Sequence, residues 1–267
     1  MYQFNYKRAS SVADAAKAVA SATDGVFLAG GMTLLPTLKQ RLAKPSDVVD
    51  LQALNDLKGV KEEGNNVVIG AMTRHADVAR NDIVKKKIPA LAGLAAHIGD
   101  AQVRNRGTIG GSVANNDPAA DYPSACLALG ATIVTSKREI KADDFFSGMF
   151  TTALEPGEMV TAVKFPVPQK AAYEKFPNPA SRYAMVGVFV AQAGGATRVA
   201  VTGAGQDGVF RHKGLEEALG KSLTKDAAMK VTVSADGLNS DIHASAEYRA
   251  HLIKVMAGRA AEKAAKG

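Results

Sequence analysis

Apolar and polar positions alternate over short distances along this chain, predicting brief strands and modest amphipathic helices rather than one long element. Residues 10–22 repeat alanine and valine with few turn-forming residues, and they open on Ser10-Ser11. Asp14 falls in the first turn, where a carboxylate suits the positive end of a helix, so a short helix is predicted there. The apolar run Val26-Phe27-Leu28 predicts a strand and residues 34–42 a helix. Asp47-Val-Val-Asp-Leu51, set off by Pro45, predicts a further strand. The succession reads as a small βαβ unit.

From Leu57 the texture changes. Residues 59–66 read as a hairpin-like turn feeding the apolar strand Val67-Val-Ile-Gly70, and Thr73 is the candidate cap of the helix that follows. Helices are predicted near 76–80, over 91–98 and after Pro123, with strands over 131–135 and 159–165. Pro166, Pro168, Pro177 and Pro179 then punctuate a connection before a strand at 184–193, and helices at 215–219 and 247–264 close the chain. No internal repeat at solenoid periods is present. The expected division is into three units, 1–56, 57–168 and 169–267, with α+β architecture.

Composition narrows the function classes. The 267 residues are 46% hydrophobic and 22% charged, ordinary globular usage, so disorder is expected only in the Lys/Ala-rich end at 260–267. No run of about 18 apolar residues exists, and the first nine residues lack an apolar signal core, which argues for a cytoplasmic protein without membrane insertion. The net charge of +7 is scattered. Its one run, Lys85-Lys86-Lys87, has no interleaved aromatics, so a solvated helix face is favoured over nucleic-acid binding. A single cysteine, Cys126, excludes an internal disulfide and any four-thiolate cluster held by this chain alone. Its apolar surroundings make it a small core residue. The five histidines show no ligand spacing, so no metal site is expected.

Two glycine loops carry the chemistry. Leu28-Ala-Gly-Gly-Met-Thr-Leu-Leu-Pro36 follows an apolar strand and leads into a helix, and Thr108-Ile-Gly-Gly-Ser-Val-Ala-Asn-Asn-Asp-Pro-Ala119 repeats the device. Paired glycines let backbone amides approach a phosphate, where a side chain at Gly110 or Gly111 would block access. Two such loops suggest one extended, doubly anchored dinucleotide. Thr33, Thr108 and Ser112 add hydroxyl donors, and Asp121 is suited to accept from sugar hydroxyls. A third candidate, Gly203-Ala-Gly-Gln-Asp-Gly208, spells the nicotinamide fingerprint. Asp207 inside the loop and the polar Arg211-His-Lys-Gly214 beyond it favour a turn between strand and helix instead. Arg104 and Arg106, alternating on an extended segment, are read as packing against neighbouring loops or a partner subunit.

With Gln102-Val-Arg-Asn-Arg preceding the second loop and Ala120-Asp121 following it, the chain resembles the FAD-binding medium subunit of molybdenum hydroxylases. That group includes aerobic-type carbon monoxide dehydrogenase and xanthine dehydrogenase relatives. The resemblance implies a two-domain FAD-binding fold of the vanillyl-alcohol-oxidase/PCMH type followed by a C-terminal α+β domain. It implies that Ala29, Gly30, Gly31, Met32, Thr33 and Leu34 contact the diphosphate and ribityl part of FAD, with Thr108, Ile109, Gly110, Gly111 and Ser112 as the facing wall. It also places Asn115 and Asp121 near phosphates and sugar hydroxyls, Val160 as an apolar contact, Lys175 close to the flavin and Tyr183 beside the isoalloxazine. Met32 departs from the polar residue often found at its position. Asn116 stands where the carbon monoxide dehydrogenase branch often has histidine.

By the same resemblance, a large subunit with the molybdenum cofactor oxidises substrate and a small subunit with two 2Fe-2S clusters relays electrons to this chain, in a dimer of heterotrimers. No side chain here is expected to act as nucleophile or essential base. A self-sufficient flavin oxidoreductase acting directly on a small molecule is the alternative, and a scaffold that has lost FAD a third. The substrate and the acceptor, whether NAD, quinone or oxygen, stay open.

Overall fold

The computed structural model describes residues 1–267. Three sheets follow one another along the chain, and each is shaped by which faces its neighbours cover. The first holds the parallel strands Asn5–Arg8, Gly25–Leu28 and Asp47–Asp50, with Asp47–Asp50 at the centre. Helices Val12–Ala20 and Leu34–Lys39 make the crossovers. The Ser11 hydroxyl accepts from the Asp14 amide at 3.1 Å, and Asp14 pairs with Lys7 at 2.7 Å, which fixes where the first helix starts. Strand Asn5–Arg8 was not signalled by the sequence, because all four of its residues are exposed and polar or aromatic.

The second sheet is antiparallel, in the order Val60–Glu63, Asn66–Gly70, Val160–Pro166, Thr132–Thr135, Glu139–Lys141. Helices His75–Arg80, Pro89–His97, Ile109–Asn115 and Tyr122–Leu129 bring their apolar residues to a core of 30 buried side chains. Cys126 lies inside it, fully buried, and burial pushes its thiol well up. Thr73 does not cap the following helix. Its hydroxyl accepts from the Gly59 amide at 2.9 Å and donates to the Gly59 carbonyl at 3.1 Å, stitching the entry of the hairpin to its exit, and Arg74 takes the cap position.

The third sheet runs Lys170–Pro177, Ala184–Ala193, Ala196–Thr202, Phe210–Arg211, all antiparallel. Lys170–Pro177 replaces the proline-punctuated connection expected there, since Pro166 and Pro168 precede the strand and Pro177 merely ends it. The first eight residues of Ala184–Ala193 are buried because both faces are covered. Phe189 and Ala191 join the core of the second sheet, while Val186, Val188 and Val190 meet the C-terminal helix Ala246–Lys266. That helix continues through the segment expected to be disordered, because Ala257, Ala260, Ala261 and Ala264 recur at helical spacing and are buried.

The Gly203–Gly208 segment is a turn joining two antiparallel strands, and the next helix begins only at Lys213, capped by His212. Gly203 has φ +83° and donates to the Pro118 carbonyl at 2.8 Å, so a side chain there would run into the Ala184 carbonyl. Nothing of the strand–loop–helix needed for nucleotide binding is present. Arg104 closes the short helix Ala101–Arg104 instead of lying on an extended segment, and its guanidinium donates to the Ile98 carbonyl at 2.6 Å. No helix is long and apolar enough to cross a membrane.

Candidate cofactor-binding site

A cleft of about 600 Å³ lies where the three sheets meet. From the first comes the loop Ala29, Gly30, Gly31, Met32, Thr33, Leu34. From the second come Thr108, Gly110, Gly111, Ser112, Asn115, Asp121 and Val160, and from the third Lys175 and Tyr183. Ile109 is the one candidate that does not line it. Its side chain is fully buried in the core, and its amide donates to the Thr73 carbonyl at 3.1 Å.

The two loops are not equivalent. In the first, no amide from Ala29 to Leu34 donates to a main-chain carbonyl, and Thr33 makes no side-chain cap, so a succession of N–H groups is left for an anion. In the second, Gly110 donates to the Ala71 carbonyl at 2.8 Å, Gly111 to the Thr108 hydroxyl at 3.2 Å and Ser112 to the Thr108 carbonyl at 3.0 Å. Its amides are spent on its own helix cap and on the turn at Ala71, so its offering to a ligand is hydroxyls and a wall. The glycines also differ from the sequence reading. A side chain at Gly30 would collide with the Arg106 carbonyl and one at Gly110 with Ala71, so both serve close packing within the protein. Gly111 is less crowded, since a Cβ there would meet only the Thr108 hydroxyl at 3.0 Å and the Ala29 methyl at 3.7 Å.

At the other end of the cleft, Asp121 is committed within the protein rather than free for a sugar hydroxyl. Tyr173 donates to its Oδ1 at 2.5 Å, and Lys175 lies 3.0 Å from Oδ1 and 3.1 Å from Oδ2. Burial pushes the Asp121 carboxyl above the usual carboxylate range, with Lys175 and Tyr173 opposing the shift. Glu158, also on the lining, has a fully buried side chain. Burial works against its charge, yet hydrogen bonds from Arg138, Thr135 and the Glu155 amide hold it at about 2.

Several lining residues carried no signal in the sequence, among them His75, Asp117 and Arg182. His75 is buried, with its ring 5.4 Å from that of Tyr122 and its Nδ1 without a partner. Burial, aided by the charge of Arg104, lowers it to about 4. Between that value and the ordinary one near 6.5 the unfolded chain takes up a proton that the folded chain refuses, so stability falls as pH drops through this window. Denaturation at pH 7 and pH 5 should show the loss, at no more than about 1.4 kcal/mol per pH unit from this group, and His75→Phe should flatten it. An unchanged slope in that variant would exclude His75 as its source.

Asn116 is no ligand candidate. It ends the helix Ile109–Asn115 in a left-handed conformation, φ +43°, and its amide donates to the carbonyls of Gly148 at 2.8 Å and Thr151 at 2.9 Å. It thereby ties a small hairpin to the helix of the second loop.

A cleft with free amides on one wall and hydroxyls on the other, closed by a buried ion pair, defines an α+β protein built to hold an extended anionic cofactor between its units. Residues 2–168 match the family model described as the FAD binding domain in molybdopterin dehydrogenase. The chain is 39% identical to the glyceraldehyde dehydrogenase medium chain of Sulfolobus acidocaldarius, covering 98% of this chain and 99% of that one. It is 36% identical to the carbon monoxide dehydrogenase medium chain of Afipia carboxidovorans, over 98% and 96%. The reconstituted CO dehydrogenase of Oligotropha carboxidovorans superposes with a TM-score of 0.90 at 36% identity, over 98% of this chain and 97% of that one. The chain belongs to the family of FAD-binding medium subunits of molybdenum-containing dehydrogenases, and it is a component of an oxidoreductase.

Proposed function

We propose that this chain is the point at which electrons leave a molybdenum hydroxylase complex. Electrons would arrive from iron–sulfur clusters of a small partner subunit, after substrate oxidation on a large subunit carrying the molybdenum cofactor, and depart to an external acceptor. The observation that carries the reading is the row of unspent amides from Ala29 to Leu34 facing Thr108, Gly111 and Ser112 across one cleft. Such a row suits a diphosphate, because N–H dipoles meet anionic oxygens without a cation. When bound, FAD supplies the redox chemistry.

The chain's own residues bind and orient. The first loop grips the diphosphate, Ser112 and Asn115 hold polar groups beyond it, Val160 packs against an apolar part, and Lys175 and Tyr183 stand at the isoalloxazine end. Tyr183 is exposed and Arg182 beside it has φ +63°, in a turn held by Asn178, whose Oδ1 accepts from the amides of Ala180 and Ser181. No side chain in the cleft is paired as nucleophile and base, which fits a binding and relay role rather than direct attack on substrate. We read the assembly as a cytoplasmic dimer of heterotrimers.

Purification from the native source should yield this chain with one FAD, together with two further polypeptides holding molybdenum and iron–sulfur clusters. Reduction of the isolated chain's flavin by a small substrate, with no partner present, would favour the self-sufficient enzyme. A colourless chain inside an intact complex would end the reading.

A further inference from the structure

We propose that Tyr173 is a positioning residue that sets, through Asp121, the positive charge Lys175 presents to the cleft. The proposal rests on the reading that FAD occupies that cleft. Tyr173 and Lys175 are two apart on strand Lys170–Pro177, so their side chains leave the same face of the sheet. They converge on Asp121, just ahead of helix Tyr122–Leu129, and all three side groups are nearly sealed from solvent.

Charge balance does not call for the phenol, because Asp121 and Lys175 already neutralise one another. A phenylalanine would fill the same volume. What the hydroxyl adds is a short donor hydrogen bond to Oδ1, which draws carboxylate charge away from the ammonium in a region where water cannot screen it. Of the three ammonium protons, Asp121 and the His97 carbonyl at 3.4 Å engage two. Lys175 also lines the cleft, so the remaining proton is available to a ligand there. The protein makes room for the arrangement at Gly187, opposite Lys175 on the neighbouring strand, where any side chain would overlap the Tyr173 hydroxyl.

The charge felt at the cleft is therefore the ammonium less the carboxylate, with the carboxylate attenuated by Tyr173. Losing the hydroxyl returns charge to Asp121, weakens the net cation and disfavours the more negative, reduced cofactor. Losing the carboxylate charge does the opposite.

The test is a redox titration of the FAD-loaded chain, followed by absorbance. Tyr173→Phe should lower the midpoint potential, with about a tenfold change in the oxidised-to-reduced ratio at fixed poise, equivalent to about 30 mV for a two-electron couple. Asp121→Asn should raise it. Opposite signs are the signature, since simple loosening of the site would move both variants alike. Wild-type protein with flavin, but with both shifts in one direction or no shift in Tyr173→Phe, overturns this proposal alone. Wild-type protein unable to hold flavin overturns the cleft assignment and this proposal with it.

Discussion

Gly111→Val should purify as a folded protein without yellow colour. The new Cβ meets only the Thr108 hydroxyl and, more loosely, the Ala29 methyl, so a few tenths of an ångström of adjustment at the helix cap accommodates it. Helix propensity favours the change, because glycine is the poorer helix former. The two added methyls project into the gap between the loops, where a diphosphate would pass. Flavin retention after gel filtration should fall at least about tenfold, while the unfolding free energy of the flavin-free protein changes by less than the roughly 1 kcal/mol typical of a point substitution. Gly110→Ala makes the contrasting control. Its single methyl collides with Ala71, and overpacking of this kind costs about 1–3 kcal/mol, so stability falls first. If Gly111→Val keeps full colour, the gap between the loops is not the cofactor's path.

Lys175→Met should produce the largest loss of stability among substitutions in the cleft. It leaves Asp121 buried with only Tyr173 as partner, and stripping one member from a buried pair costs about 3 kcal/mol or more. The orphaned carboxyl, already pushed up by burial, rises further once the ammonium that opposed the shift is gone. Adding Asp121→Asn to the variant removes the uncompensated charge and should recover most of the loss. The comparison belongs in flavin-free protein, because a ligand that binds only the folded state adds its own stabilisation. A single variant within about 0.5 kcal/mol of wild type would mean that Asp121 has other partners or is already protonated.

Much of the cofactor end was legible in the sequence because it is local. Paired glycines after an apolar strand, and Thr108 three residues before Gly111, are short-range signals, and fifteen of the sixteen residues named from them or from the resemblance line one cleft. Ile109 misled because its backbone belongs to the loop while its side chain belongs to the core. What stayed hidden depends on distant partners. Nothing near Asp121 announces that Tyr173 and Lys175, 52 and 54 residues away, will claim its oxygens. Nor does the dipeptide Thr73-Arg74 reveal that the hydroxyl turns back to Gly59, satisfying the hairpin instead of the helix. Strand Asn5–Arg8 was missed for a different reason. It has no buried face, so its place in the sheet comes from backbone pairing with Asp47–Asp50 and from side-chain hydrogen bonds, Tyr6 to Asp50 at 2.6 Å and Asn5 to Asp47 at 3.1 Å.

The alternation along Ala184–Ala193 limits how this protein can be cut. Phe189 and Ala191 complete the packing around helices of the preceding unit, so a fragment ending where the match to the family model ends, at residue 168, would leave an uncovered oily surface. Such a piece would aggregate rather than serve as a minimal flavin carrier. Anyone engineering a portable version should keep all three sheets, and Phe4 with them because it packs against Leu28, Leu38 and Val48, and trim at most residues 1–3.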